Sequence, residues 1–413
     1  MRLSLKQFKV LGLELWILAL FLCCQSCEEK QPVEQFEKGS FGYDLAFLSN
    51  HQETIMLKNG NARLAICPAY QGRVMTSSSD GEEGLSYGWI NHKLIASGEI
   101  PAHILPVGGE DRFWLGPEGG QFSLYFKPDT DFTFENWQTP APIDTEPFLL
   151  VYKTEKSARF EREFVLENYG GIALNIHVRR DISFLDKSEL EKIIPVSESM
   201  SYVAYQTKNT ITNSGENPWT KATGAPSIWM LGMFNPSDQT TIVVPFRQGE
   251  DSAFGPVVND TYFGKVPAER LVVGDGVMYF SGDGKYRSKI GLNPRRALPF
   301  LGSYDAENGV LTIVHYTKPD GVDDYVNSMW ELQEHPFAGD AANAYNDGPV
   351  DGKAMGPFYE LESSSPAAFL DPRQSMTHVQ TTIHIQGSEM ELDKIVQKIF
   401  NTTIEQINAA FVN

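Results

Sequence analysis

Two glutamates, Glu360 and Glu362, stand two apart in FYELESSSP, residues 358–366. In an extended chain alternate side chains share a face, so both carboxylates point one way while Tyr359 and Leu361 point the other. Neighbouring carboxylates raise one another's proton affinity, the tuning that acid–base chemistry near neutral pH requires. The same alternation fits an edge strand whose polar face meets water, and both readings stand at this point. The stretch before it, WELQEHPFAGDAANAYNDGPVDGKAMGP, is long, glycine-rich and loaded with aromatic and carboxamide side chains, the make-up of a binding loop.

Histidine supplies the other titrating groups. In LNIHVRR, Asn175, His177 and Arg179 share one strand face and Leu174, Ile176 and Val178 the other, a polar stripe that either lines a cleft or faces water. His315 lies in the apolar run VLTIVHYTK, where a satisfied core histidine is the commoner outcome, and His335 lies in the glycine-rich segment. His103, His378 and His384 are weaker candidates. None has zinc spacing, and no metal or cofactor is expected. Asp340, Asp347 and Asp351 could offer oxygens to calcium, but without the D-x-D-x-D-G order. In GGEDRFWLGPEGG, Arg112 and Trp114 share a face between paired glycines. An arginine can fork hydrogen bonds to adjacent hydroxyls and an indole can stack on an apolar ring face; a core tryptophan beside an ion-paired arginine is the alternative.

LESSSP resembles the late strand of galactose-mutarotase-like proteins, where a glutamate is followed by a small polar residue and soon a proline, commonly as E-T-Q-x-x-P. AAFLDPRQSMTHVQTTIHI resembles that family's closing L-x-P-G-x-S loop and amphipathic strand, with Arg373 where glycine is common. GGEDRFWLGPEGG and WELQEHPFAGDAANAYNDGP resemble lipoproteins of this superfamily from Gram-negative bacteria. The likeness spans roughly residues 50–388. It implies a large antiparallel β-sandwich, the supersandwich, that binds sugars on a concave sheet face. It also implies aldose 1-epimerisation, with Glu362 or, one register away, Glu360 as base and His177 as the acid that protonates the ring oxygen. Arg112, Trp114, His335 and His315 would then contact substrate. A glycan-binding protein without catalysis is the alternative; a glycoside hydrolase or lyase accessory would need a second carboxylate across the bond.

Short alternating runs broken by Gly, Pro, Asn and Asp recur along the chain: NARLAICP, FSLYF, PFLLVYK, ALNIHVRRDISFL, SYVAYQTKNTIT, SIWMLGMF, TTIVVPF, LVVGDGVMYF, GVLTIVHY, PFYELES and THVQTTIHI. This spacing predicts an all-β sandwich or barrel. Helix is expected at SELEKII after Asp186, and at the C-terminus, where Ser388 and Glu391 form a capping box and Ile395, Ile399, Ile407 and Phe411 recur.

The first residues place Arg2, Lys6 and Lys9 before LELWILALFLCC, the pattern of a secretory signal. Ser26-Cys27 resembles a lipobox, which would make Cys27 the lipidated first residue of the mature chain. The expected organisation is a signal peptide over 1–26, a tether over 27–40 and one β-sandwich domain over 41–413. The product would be exported and anchored by lipid to a bacterial envelope, on the outer membrane, facing periplasm or exterior. Cys67 is then the one cysteine left in the domain, so a packed core rather than a disulfide must hold it. The chain carries a formal charge of −19. That acidity argues against nucleic acid as a partner and leaves the acyl chain as the membrane contact, with a carbohydrate the expected ligand.

Overall fold

A computed structural model describes residues 35–350 and 352–411. The expected signal peptide, the lipidation at Cys27, most of the tether and Asp351 lie outside the described residues. Among the described residues, eighteen strands and six α-helices follow one another. In chain order the first are α1 (Phe41–His51), β1 (Ile55–Asn59), β2 (Ala62–Cys67), β3 (Arg73–Ser78), α2 (His92–Ser97) and β4 (Arg112–Gly116). Then come β5 (Leu149–Lys153), β6 (Ser157–Glu167), β7 (Ala173–Phe184), α3 (Lys187–Ile193), β8 (Ser201–Asn213), β9 (Ser227–Phe234) and β10 (Thr240–Pro245). The middle of the chain gives α4 (Asp251–Phe254), β11 (Leu271–Val273), β12 (Val277–Ser281), β13 (Ser288–Leu292), β14 (Phe300–Asp305) and β15 (Val310–Tyr316). The last are β16 (Ala342–Asn346), β17 (Tyr359–Ser364), β18 (Ser375–Gln386), α5 (Glu389–Phe400) and α6 (Ile404–Ala409).

The strands form three antiparallel sheets: β1-β2-β3, a ten-stranded sheet in the order β11-β12-β10-β14-β15-β18-β8-β7-β6-β5, and a five-stranded sheet in the order β13-β16-β17-β9-β4. The expected all-β sandwich is present, with helices at the C-terminus. The two larger sheets pack face to face. Ile176, Val178 and Ile182 of β7 meet Phe113 and Leu115 of β4 and Ile228 and Met230 of β9 in one apolar cluster. Behind the ten-stranded sheet, Leu392, Ile395, Val396 and Phe400 of α5 and Ile404 and Ile407 of α6 cover Leu311, Ile313, Ile383 and Ile385.

Local sequence accounts for these elements. In β7 every second residue from Leu174 to Phe184 is buried, and the residues between are partly exposed. Asp186 caps α3 through a reciprocal box with Glu189, and Ser388 caps α5 with Glu391. The expected single C-terminal helix is broken in two: Asn401 enters the left-handed region at φ 54° and Thr403 opens α6 with its own capping box, so Ile407 belongs to the second helix. FSLYF forms no strand. Leu124, Tyr125 and Phe126 lie in a bent segment that takes all three side chains into the core. α1 and α2 were not foreseen; Ser40 and Asn91 cap them by accepting from Tyr43 N and Leu94 N. Arg373, where the resemblance expects glycine, sits at φ 71°, the backbone region that explains the family's preference.

Polar groups lie between the sheets as well. Arg180 of β7 is ion-paired with Asp111, both fully buried, and Asp111 also accepts from Thr207 Oγ1 at 2.9 Å. His384 Nε2 contacts Glu110 Oε2 at 2.7 Å, and His378 Nε2 lies 2.8 Å from Ser363 Oγ, which donates to Gln380. Cys67 is a free, buried thiol that burial pushes up to about 12.

Burial holds His378 down to about 3, and its Nδ1 has no partner. The unfolded chain binds a proton here as pH falls below the ordinary histidine value, whereas the folded chain stays neutral until about 3. Stability contributed by this group is therefore present above pH 6.5 and drains away on acidification, by up to about 1.4 kcal/mol per pH unit. Urea midpoints measured from about pH 7 down to about pH 4, where the unfolded chain takes up this proton and the folded chain does not, should show a shallower decline for His378→Gln than for the parent. Equal slopes would remove this assignment.

Candidate functional site

β17 runs in the middle of the five-stranded sheet, between β16 and β9. Its register sets Glu362 opposite Asn343 and Leu231, and Glu360 opposite Tyr345 and Met233. Residues paired directly across a sheet share a face. Arg112, Trp114, Trp229, Lys289, Asn343, Tyr345, Glu360 and Glu362 therefore lie on one face. The opposite face, with Phe113, Met230, Leu361 and Ala344, packs into the sandwich core.

Both glutamates are buried, Glu362 completely. Glu362 Oε2 accepts from Trp229 Nε1 and from Lys289 Nζ, each at 2.9 Å, and its Oε1 has no partner. Glu360 Oε1 accepts from Arg112 at 3.2 Å, and the Arg112 guanidinium lies 4.0 Å over the Trp114 ring. Burial, helped by the neighbouring Glu362, pushes the Glu360 carboxyl above the ordinary range, with Arg112 and Lys289 opposing. Two carboxyls thus share one sheet face, each with its own cation, Arg112 at Glu360 and Lys289 at Glu362.

Above this layer lies a cavity of about 770 Å³. Its sheet-side floor is Trp229, Lys289, Asn343 and Tyr345. Trp229 and Lys289 line the cavity while Glu362 does not, so they stand between it and any occupant. One wall is aromatic. Trp137 stacks on Phe134, Tyr125 and Trp330, at 6.0, 5.9 and 6.0 Å between ring centroids, and Phe134, Trp137 and Trp330 face the cavity.

Glu118, on the loop after β4, also lines the cavity. Its carboxyl is raised chiefly by burial and further by Glu362, against Lys289 and the indoles of Trp330 and Trp137. The opposite wall carries Tyr262, Phe263, Arg287, Asp340, Asp347 and Lys353.

The structure brings four of the sequence candidates together, Glu360, Glu362, Arg112 and Trp114, and sets them under the cavity floor. It does not bring His177 to them. His177 lies on the partly exposed face of β7 in the other sheet, 3.6 Å from Glu161, while the intervening Ile176 and Val178 fill the core. The alternation that made its stripe polar also turns it outward. His315 stacks on Phe300 at 4.6 Å on the helix-covered side of the ten-stranded sheet, and burial lowers its pKa. His335 is exposed beside Glu334. Among the described residues no histidine lines the cavity.

Asp340 accepts from the hydroxyl of Tyr262, and Asp347 from Tyr345 Oη at 2.7 Å and Gly356 N at 3.0 Å. Among the described residues, no group of three or more His, Cys, Asp or Glu is placed to hold a metal. The segment expected as a loop contains β16, which supplies Asn343 and Tyr345 to the floor.

Lys289, Trp229, Glu118, Trp137 and Trp330 were not singled out from sequence. Lys289 has no local signal, since its partner is 73 positions away. Trp330 and Glu118 stood inside stretches already marked as unusual, WELQEHPFAG and GPEGG.

Among solved structures the chain is similar to several at low identity. A galactose mutarotase-like protein from Lactobacillus casei matches at 10% identity over 81% of this chain and 100% of its own, with a TM-score of 0.48. The Slr1438 protein from Synechocystis matches at 12% identity over 82% and 96%, TM-score 0.47. A galactose mutarotase related enzyme from Lactobacillus acidophilus matches at 8% identity over 81% and 97%, TM-score 0.44. None of the curated proteins matches the chain. The sequence profile of one family covers nearly all of the described residues, 39–411, and the chain belongs to it: the family of unknown function DUF6786.

Proposed function

We propose that the chain is a carbohydrate-binding protein whose ligand lies in the cavity over the five-stranded sheet. The observation that carries this reading is the pairing of an aromatic wall, Phe134, Trp137 and Trp330, with a polar floor and far wall that include Lys289, Asn343, Tyr345 and Arg287. A sugar ring has the same division, with C–H faces that pack on indoles and a rim of hydroxyls that needs donors and acceptors. The volume lies within the range of small-ligand sites, roughly 300–1,000 Å³.

Binding rather than epimerisation is the better fit. The resemblance nominates Glu362 as base, yet Trp229 and Lys289 consume its Oε2 and cover it, and His177 is turned away. Glycan-array screening followed by calorimetry tests the reading. Trp330→Ala should weaken binding of the best saccharide by about 1.4–2 kcal/mol, roughly ten- to thirtyfold. No binding to any saccharide overturns the proposal. Fresh α-aldoses followed by optical rotation should mutarotate at the spontaneous rate; an acceleration lost in Glu362→Gln would restore the epimerase reading.

A further inference from the structure

The acidic chain gathers three cations around this cavity: Arg287, Lys289 and Lys353. Lys289 is committed to Glu362. The other two are not. The Arg287 guanidinium lies 3.9 Å over the ring of Phe263, and among the described residues neither it nor the Lys353 ammonium makes an ion pair or a side-chain hydrogen bond. Stacking on Phe263 fixes the guanidinium plane and leaves its N–H edge for a ligand.

The acids nearby have other partners. Asp340 accepts from Tyr262, and Asp347 accepts from Tyr345 and Gly356 N; among the described residues neither forms an ion pair with Arg287 or Lys353. The remaining cavity-lining acids, Glu118 and Glu331, sit at the other end: Glu118 N bonds Ser328 Oγ, and Gly119 abuts Met329. Arg287, by contrast, adjoins Gly348, on the segment that leads to Lys353. Arg287 and Lys353, the two cavity-lining cations without an ion pair, thus stand at the end away from Glu118, Glu331 and the tryptophans.

We propose that the saccharide taken by this cavity is an acidic one, held by its carboxylate or sulfate ester between Arg287 and Lys353. This rests on the carbohydrate reading and narrows it to anionic glycans. Arginine suits such groups because its fork matches two oxygens at once, and a charge-assisted pair is about twice as strong as a neutral one. Lys289, already neutralised, donates to hydroxyls.

Calorimetry on the full-length protein in low salt tests this with three probes: a galacturonic acid trimer, the neutral galactose trimer and a sulfated galactose trimer. At least one acidic probe should bind roughly tenfold or more tighter than the neutral trimer. Its advantage should shrink as salt rises toward about 0.5 M, because screening shortens the reach of charge. Arg287→Gln/Lys353→Gln should abolish the preference, so that acidic and neutral trimers bind the variant with similar affinity; both side chains are exposed, so the variant keeps its core. Preference for the uronate identifies a carboxylate, and preference for the sulfated trimer a sulfate ester; either supports the proposal. Equal binding of all three, or a preference that survives the double substitution, overturns it and leaves the carbohydrate reading standing. Binding of none overturns both.

Discussion

Replacing Arg180 by methionine is expected to lower the unfolding free energy by about 3–5 kcal/mol, the cost of leaving one member of a buried ion pair alone. Arg180 and Asp111 are both fully buried and bonded to each other. Burial favours the neutral form of each, lowering the arginine and raising the aspartate, and the contact between them opposes that pressure. Without Arg180, Asp111 keeps Thr207 and a long contact to Gln380 at 3.4 Å, too little for a carboxylate. Asp111 is adjacent to Arg112, and Arg180 belongs to the facing sheet, so the pair ties the sheet that carries the candidate site to the one behind it. Guanidinium chloride unfolding followed by tryptophan fluorescence measures the loss. The double variant Arg180→Met/Asp111→Asn, which removes the stranded charge, should recover most of it. A single variant within about 1 kcal/mol of the parent would show that the pair is not held as described.

Lys289→Met should affect both stability and binding. Its ammonium is 13% exposed at the side chain and bonds a fully buried carboxylate, so about 2–3 kcal/mol of stability should go, below the value for a wholly buried pair. It also lies 5.0 Å over Trp229 and 5.5 Å over Tyr262, which hold it upright at the cavity floor. A saccharide would lose a charged donor, weakening affinity by roughly ten- to a hundredfold. The double variant Lys289→Met/Glu362→Gln separates the two effects. Glutamine keeps an oxygen for Trp229 Nε1 and leaves no buried charge, so stability should return while binding stays weak. If binding returned with stability, Lys289 would act only by holding the floor in place.

Several features were written in short stretches of sequence because they depend on local geometry. The period of two put Glu360 and Glu362 on one face whatever the fold, and did the same for Asn175, His177 and Arg179. Capping boxes at Asp186–Glu189 and Ser388–Glu391 needed only spacing of three. FSLYF failed by the same logic: its alternation was weak, and packing decided against a strand. His177 failed because alternation says which residues share a face and not what that face meets.

The sequence by itself determined the fold class, the strand spacing, the pairing of the two carboxylates and the acidic surface, since each follows from neighbours within a few residues or from summed charge. Only the tertiary structure decided that the carboxylates lie under a floor rather than in a cleft. It also decided that Lys289 neutralises Glu362 and that Trp137 and Trp330 meet in one aromatic wall. Those contacts join residues far apart along the chain, and no local period carries information about a partner that only sheet order and packing bring within reach.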